Sequence, residues 1–222
     1  MGNQRKIHQQ QRSDDLGKGG MKVSVVIPTI WKSPCTRFLL TVLQKEERVG
    51  EIILIDNAPK TRRFDANKYS KVLLIEEETN TYVNPAWNKG VGLAKNEQIV
   101  VCNDDLVADV TVMLDAFEQI ECDFLGLSHN SWTGKGFEEG KLREGHCIGK
   151  GWGCLFTFRK ENWKPIPEDL KIYSGDKYLA QGSVNYQVDV PIIGSIGKSS
   201  KSREMESIRK LDMKTFVRKY KI

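Results

Sequence analysis

The 222-residue sequence contains no uninterrupted apolar stretch close to the roughly 18 residues that a membrane span requires. Its first residues carry charge with no apolar segment behind them, so no secretory leader is expected and the reading is of a soluble, cytoplasmic chain. Cysteine is sparse and irregular: there are five, an odd number, with no Cys-x-x-Cys pair. That spacing suits neither a disulfide framework nor a zinc site, and points to reduced, mostly buried thiols in a reducing compartment. Seven prolines and 19 glycines, with 39% apolar and 28% charged residues, exclude collagen-like repeats, global disorder and a coiled coil. No internal repeat is visible. A chain of this length buries roughly 70% of its extended surface, enough for a core of its own and for one domain.

The net charge of +5 is unevenly spread. Residues 198–222 hold nine Lys/Arg against three Asp/Glu, and residues 1–20 hold four against two. The body between them is mildly acidic, with 21 basic and 24 acidic side chains. Positive charge confined to the ends argues against nucleic-acid binding as the main task. Residues 1–20 are polar and Gln-rich, and read as a flexible arm or an expression remnant. Gly2 lacks the Ser/Thr four residues on that myristoylation needs, since Lys6 stands there.

From Met21 onward strand and helix signals alternate. Val23–Ile27 is a β-branched apolar run closed by Pro28, as a buried parallel strand would be. Ser33-Pro34 reads as the cap and first-turn proline of a helix with Phe38, Leu39, Val42 and Leu43 on its apolar face. Glu51–Ile55 and Lys71–Ile75 read as strands. Asn84-Pro85 opens a helix to about Lys95 despite Gly90 and Gly92, and Gln98–Cys102 is a fourth strand. Asp109 caps a helix through Ile120, and Asp123–Leu127 is a fifth strand. The rhythm predicts an α/β fold in a single domain, with a mostly parallel central sheet, helices on both faces and a C-terminal helix. Residues 128–151 show no period and read as a mobile loop. Gly153–Phe158 and Tyr186–Val190 read as strands, and Asp169–Gln181 as a short helix. In the tail, Met205, Ile208, Leu211, Phe216, Val217 and Tyr220 recur near helical spacing between Lys and Arg. A docked terminal helix is the simplest reading, and a basic amphipathic surface for a membrane or partner is the alternative.

Ligands of such sheets bind beyond the carboxyl ends of the strands. Three polar breaks lie there: Pro28-Thr29, Asp56-Asn57 and Asn103-Asp104-Asp105. The last is the most informative. Two adjacent carboxylates directly after Ile99-Val100-Val101-Cys102 repel each other and favour solvent or a cation. Magnesium and manganese commonly join one or two carboxylates to substrate phosphates. A plain helix-capping turn ahead of Asp109 satisfies the same residues.

Taken in order, Val23-Ser24-Val25-Val26-Ile27-Pro28-Thr29, Glu51-Ile52-Ile53-Leu54-Ile55-Asp56-Asn57, Asn84-Pro85-Ala86-Trp87-Asn88-Lys89-Gly90-Val91 and the Asn-Asp-Asp step form a series. This series resembles the inverting glycosyltransferases of family 2, with their GT-A fold, over about residues 21–195. The short phage and large-virus forms are the nearest likeness. The resemblance implies metal-dependent transfer of a sugar from a UDP- or dTDP-linked donor to a carbohydrate hydroxyl. It places the nucleotide on residues 21–127 and the acceptor on 128–197.

Carried over by position, Pro28 and Thr29 fall where the family meets nucleobase and ribose. Asp56 falls where an acidic residue accepts a hydrogen bond from the base, which suits the N–H of uracil or thymine. A turn-forming Asp-Asn before Pro59 is the plain alternative. Asn88 and Lys89 match a helix position facing ribose and diphosphate, whereas Trp87 reads as core. Asn103-Asp104-Asp105 matches the family's D-x-D motif, with Asp105 as ligand of Mn2+ or Mg2+ and with Asn103 and Asp104 directed at ribose or metal-bound water. Asn103 departs from the usual Asp. Asp176 matches the base that deprotonates the acceptor, although a helix cap is open to it as well. Glu168 and Asp169 are the fallback. Gly151-Trp152-Gly153-Cys154 resembles an acceptor-side segment, with Trp152 beside Gly153 as an exposed plate for a sugar. Many relatives carry a His near the end, but Pro191–Gly197 has none, which leaves Ser195, Lys198 or Lys201 to hold phosphate. His129 and His146 read as loop residues, His146 with a remote chance of touching the acceptor.

Two other readings stand beside this one. A sugar-phosphate nucleotidylyltransferase would share the fold logic, but it wants a Gly-rich loop after the first strand, and Thr29-Ile30-Trp31-Lys32-Ser33-Pro34 has no glycine. A catalytically degenerate binding or assembly module would accommodate Asn103 and the missing His.

Overall fold

All seven residues of Val23–Thr29 are buried on both sides of a sheet, so this apolar run is central rather than peripheral. The structure is a computed structural model describing residues 21–58, 60, 64–145, 151–195 and 203–221. Its strands, in chain order, are β1 (Val23–Thr29), β2 (Val49–Asp56), β3 (Val72–Glu76), β4 (Gln98–Cys102), β5 (Leu106–Ala108), β6 (Phe124–Leu127), β7 (Leu142–Glu144), β8 (Leu155–Arg159), β9 (Asn185–Val188) and β10 (Ile192–Ser195). Eight of them form one sheet in the order β3-β2-β1-β4-β8-β6-β9-β7, and β10 pairs with β5 beside it. Strands β3, β2, β1 and β4 are mutually parallel. Strand β8 runs antiparallel between β4 and β6, and β7 runs antiparallel at the edge. The α/β expectation with a mostly parallel sheet therefore holds.

The helices are α1 (Cys35–Lys45), α2 (Val83–Leu93), α3 (Val110–Glu118), α4 (His129–Thr133), α5 (Gly175–Ala180) and α6 (Arg203–Lys219). Alternation along the strands sends Val25, Ile27, Ile52 and Leu54 to one face, where Leu39, Leu40, Met113 and Leu114 of α1 and α3 cover them. Val26, Ile53 and Ile55 go to the other face, under Trp87, Val91, Leu179 and Phe216 of α2, α5 and α6. Gly90 inside α2 follows from this contact, since a Cβ there would meet Val26 Cγ1 at 2.3 Å. Helix and strand close to a distance that only glycine allows.

Several local expectations need correction. Phe38 is 50% exposed, and the apolar face of α1 is Leu39, Leu40 and Leu43 instead. The cap position is Pro34 rather than Ser33, with the helix starting at Cys35, although Ser33 Oγ accepts the Cys35 N–H at 3.1 Å. Asn84 and Pro85 lie within the first turn of α2 rather than capping it, and the cap position is Tyr82 at φ 69°. Asp109 does cap α3, accepting from Thr111 N at 3.0 Å and Thr111 Oγ1 at 2.5 Å. The segment read as a mobile loop holds α4 and β7 within its described part, residues 128–145. Buried Asp189 organises it, accepting from Arg143 at 2.5 and 2.9 Å, from Ser128 Oγ and from the Glu138 N–H at 2.9 Å. Burial raises the Asp189 carboxyl, but Arg143 and these donors outweigh it and hold the group below its ordinary range. The arm 1–20, His146, Cys147, Lys198 and Lys201 lie outside the described residues.

The tail forms α6 and docks. Met205, Asp212 and Phe216 are buried, while Leu211, Met213 and Val217 stay exposed. No described helix is long and apolar enough to cross a membrane.

Candidate active site

At the carboxyl ends of the parallel strands, Thr29 of β1 stands beside Asp56 of β2 in the pairing register, and Asp56 beside Glu76 of β3. Asp56 is fully buried, and its Oδ1 accepts the Ala58 N–H at 2.9 Å. Asn57 fastens the approach to α2: its Nδ2 donates to the Tyr82 carbonyl at 3.3 Å, and its Oδ1 accepts from Thr81 Oγ1 at 2.8 Å. Pro28 is buried within β1.

The Asn103-Asp104-Asp105 step follows β4 at the same rim. Asp104 is turned inward. Its Oδ2 accepts from Thr29 Oγ1 at 2.6 Å and from Thr36 Oγ1 at 3.3 Å. Burial lifts the Asp104 carboxyl to about 6, with the Thr29 hydrogen bond working against the rise and neighbouring Asp105 adding to it. Thr29 Oγ1 donates to Asp104 while accepting the Trp31 N–H at 2.9 Å, so the two expected ribose-side residues are tied to each other within the protein. These contacts lock the motif onto β1 and α1, and Asp105, next to Asp104, is less buried.

Two expected site residues on α2 have partners within the protein. Both ends of the Asn88 carboxamide are used by one residue, with Nδ2 donating to the Ile166 carbonyl at 2.8 Å and Oδ1 accepting the Ile166 N–H at 2.9 Å. Asn88 braces α2 against the Ile166 backbone. Lys89 Nζ pairs with Glu77 Oε1 at 2.5 Å. It sits six residues after the start of α2, about 9 Å along the axis from the positive helix end that would favour phosphate.

The Gly151–Cys154 segment meets the motif directly. Asn103 N–H donates to the Cys154 carbonyl at 2.9 Å. The Cys154 thiol is pushed up to about 12, first by burial and then by the charges of Asp105 and Asp176, while a hydrogen bond from Asn103 opposes them. One thiol therefore feels two carboxylates 71 residues apart in sequence, Asp105 and Asp176. Gly153 explains how Asp176 gets so close, since a Cβ on it would meet the Asp176 Cβ and Oδ2 at 2.9 Å each. Asp176 lies in the first turn of α5, just after Ser174 at φ 64° and Gly175, and its Oδ1 accepts its neighbour Lys177's N–H. The cap position itself belongs to Ser174, so Asp176 is not the N-cap.

Trp152 is not an exposed plate. It is fully buried, stacks on Phe156 at 5.2 Å, and donates Nε1–H to the Tyr186 carbonyl at 3.1 Å. Gly126 on β6 leaves the room it fills, because a Cβ there would lie 2.4 Å from the indole. The fallback Asp169 is committed to Lys219 at 2.7 Å and to the Tyr220 hydroxyl at 2.8 Å.

Two contributions escaped the sequence reading. Asn84 donates Nδ2 to the Leu170 carbonyl at 3.0 Å, and its Oδ1 occupies the space where Gly175 would otherwise carry a Cβ. The second is the β10–β5 pairing, which sets Ser195 opposite Leu106, one residue beyond Asp105. Only the Asn-Pro step and the short apolar Pro191-Ile192-Ile193 run hinted at either.

The sequence profile of glycosyl transferase family 2 matches residues 24–175. The chain belongs to glycosyltransferase family 2. Its fold is that of the family's GT-A members. Residues 1–349 of S. aureus TarS superpose with a TM-score of 0.56 at 15% identity, covering 76% of this chain and 58% of that one. TarS 1–349 in complex with UDP-GlcNAc gives 0.56 at 16%, over 76% and 56%. The mannosyltransferase PcManGT from Pyrobaculum calidifontis, in complex with GDP-Man and Mn2+, gives 0.60 at 14%, over 97% and 72%. The chain spans a little over half the length of the TarS 1–349 chains. No curated protein matches the sequence.

The family implies a divalent metal, and the residues at the motif fit one. No group of three or more His, Cys, Asp or Glu suited to a metal is present among the described residues, so no all-protein cage is built there. A single carboxylate, Asp105, joined by donor phosphates is nevertheless an ordinary site for a hard cation that keeps several waters. Beside it the buried Asn103 Oδ1 has no partner within the protein, which leaves a neutral oxygen available to the same shell.

Proposed function

We propose that this chain transfers a sugar from a nucleoside diphosphate donor to a hydroxyl group with inversion at the anomeric carbon, and that transfer depends on Mn2+ or Mg2+. UDP- or dTDP-linked donors are favoured, because the carboxylate of Asp56 at the end of β2 suits the imide N–H of uracil or thymine. The observation that carries the reading is that Asp105 of the Asn-Asp-Asp step and Asp176 both act on the Cys154 thiol, with Asp176 packed against Gly153 next to it. On this reading Asp105 serves the donor and Asp176 the acceptor, with the reacting centre between them.

Asp105, with Asn103 beside it, would hold the cation against the donor diphosphate. A cation there supplies charge neutralisation for the departing diphosphate. Asp176 accepts the proton of the acceptor hydroxyl as that oxygen bonds to the anomeric carbon. The bond from that carbon to the diphosphate oxygen breaks, and its electron pair leaves with the nucleoside diphosphate. Attack from the side opposite the leaving group inverts the configuration. Asp104, tied to Thr29 and Thr36, keeps Asp105 in place.

Calorimetric titration of UDP, dTDP and GDP, with and without Mn2+, tests the donor half. Manganese-dependent binding of one of these is expected, at least tenfold weaker in Asp105→Ala. Absence of binding by all three would leave the degenerate-module reading ahead.

A further inference from the structure

Asp212 is the one fully buried carboxylate on α6, and the mechanism above makes no use of it. Burying a charge is costly unless it is well satisfied. Here the satisfaction comes from three successive backbone groups: Oδ1 accepts the Lys171 N–H at 3.1 Å, and Oδ2 accepts those of Ile172 and Tyr173 at 2.8 Å each. No Lys or Arg side chain pairs with it among the described residues. The captured segment leads straight into Ser174, Gly175 and Asp176. Ser174 sits in the left-handed region at φ 64°, a conformation a non-glycine residue holds only when its surroundings fix it. Gly175 is pinned from the far side by Asn84.

The end of α6 and Tyr220 just after it grip the same segment at both ends. Lys219 and Tyr220 hold Asp169 before it. After it, Gln181 Nε2 donates to the Tyr220 carbonyl at 2.9 Å, and Tyr178 meets the Tyr220 ring edge-on.

We propose that Asp212 is a positioning residue for Asp176: its carboxylate fixes the backbone of 171–173, and with it the left-handed turn that presents Asp176 beside Gly153. The inference rests on Asp176 being the base. A carboxylate is specifically required, because its two oxygens take three donors, whereas an amide would turn an N–H2 group against backbone N–H groups.

Asp212→Asn keeps the volume and tests this. The first readout is hydrogen exchange of the backbone amides, which needs no substrate. Exchange in 171–176 is expected to rise at least tenfold, with β1 and β2 unchanged. The second is release of nucleoside diphosphate from UDP-GlcNAc and from GDP-mannose with Mn2+. There kcat is expected to fall about 10- to 100-fold while the donor KM stays within threefold, since a misplaced catalytic group costs rate rather than donor binding. Lys219→Ala removes only the outer grip and should show a smaller fall in the same direction, which guards against a misfolded Asn variant. Unchanged exchange in 171–176, or a released segment with wild-type kcat, overturns the proposal. Asp176→Asn is run beside it. Should that variant keep wild-type turnover, the base assignment falls, whereas a dead Asp176→Asn with a fully active Asp212→Asn removes the positioning role alone.

Discussion

Gly153 has no side chain, yet the placement of Asp176 depends on it. Adding one methyl would set a Cβ 2.9 Å from both the Cβ and Oδ2 of Asp176, closer than carbon atoms approach. The carboxylate must then swing away from the Cys154 side of the cleft. Gly153→Ala is expected to lower kcat about tenfold or more while nucleotide affinity in calorimetry stays within threefold. A variant with normal turnover would show that Asp176 works from elsewhere or not at all. The residues that could be read from sequence alone were those whose signal is local: adjacent carboxylates after a buried strand, or an aspartate after a glycine. The misread Trp152, and the partners of Asn88 and Lys89, depend on what lies opposite. Nothing near Trp152 in sequence reveals that Gly126 makes room for an indole, and nothing near Asn88 announces the Ile166 backbone 78 residues later. The inward turn of Asp104 is equally hidden, because it needs Thr29 and Thr36.

At the scale of elements, the α4–β7 segment is held by one buried charge. Asp189 is fully buried, and Arg143 is its only cationic partner among the described residues. Arg143→Met would keep much of the stem packing and leave the carboxylate with neutral donors only. A cost of about 2–3 kcal/mol is expected, below the usual figure for a broken buried pair because Arg143 is partly exposed. For a chain of this length that is a fall in Tm of roughly 5–10 °C by calorimetry. Nucleotide binding should be unaffected, since the pair lies among β7, β9 and α4. The strands β1, β2 and β4 were legible because burial on both faces leaves an apolar, β-branched run, which needs no knowledge of partners, and the edge strand β3 from its apolar Val72–Ile75 run. Strands β5, β7 and β10 are three or four residues long, and a run so short is not distinguished from loop by periodicity. They exist because of their pairings, Leu142 with Val188 and Ser195 with Leu106, which are long-range facts.

At the scale of the whole molecule, residues 21–127 and 128–195, the proposed donor and acceptor portions, follow one another in sequence but are interleaved in space. Strand β8 comes from the second stretch but lies between β4 and β6 of the first, pairing with all five residues of β4. Residues 21–127 alone would therefore leave β4 and β6 with open edges in mid-sheet and would lose Phe156, Phe158 and Trp152 from one of the two cores. That fragment is expected to lack a cooperative transition. The whole chain, by contrast, should unfold in a single calorimetric transition, because no strand boundary separates the halves. Ligand linkage makes the test sharper. Nucleoside diphosphate with Mn2+ at about 100 times its Kd adds about 2.7 kcal/mol to the native state. The whole transition should then move up by roughly 5–10 °C. Two transitions, with only the first moved by nucleotide, would mean that the donor portion folds by itself and that the continuous sheet does not couple it to Asp176.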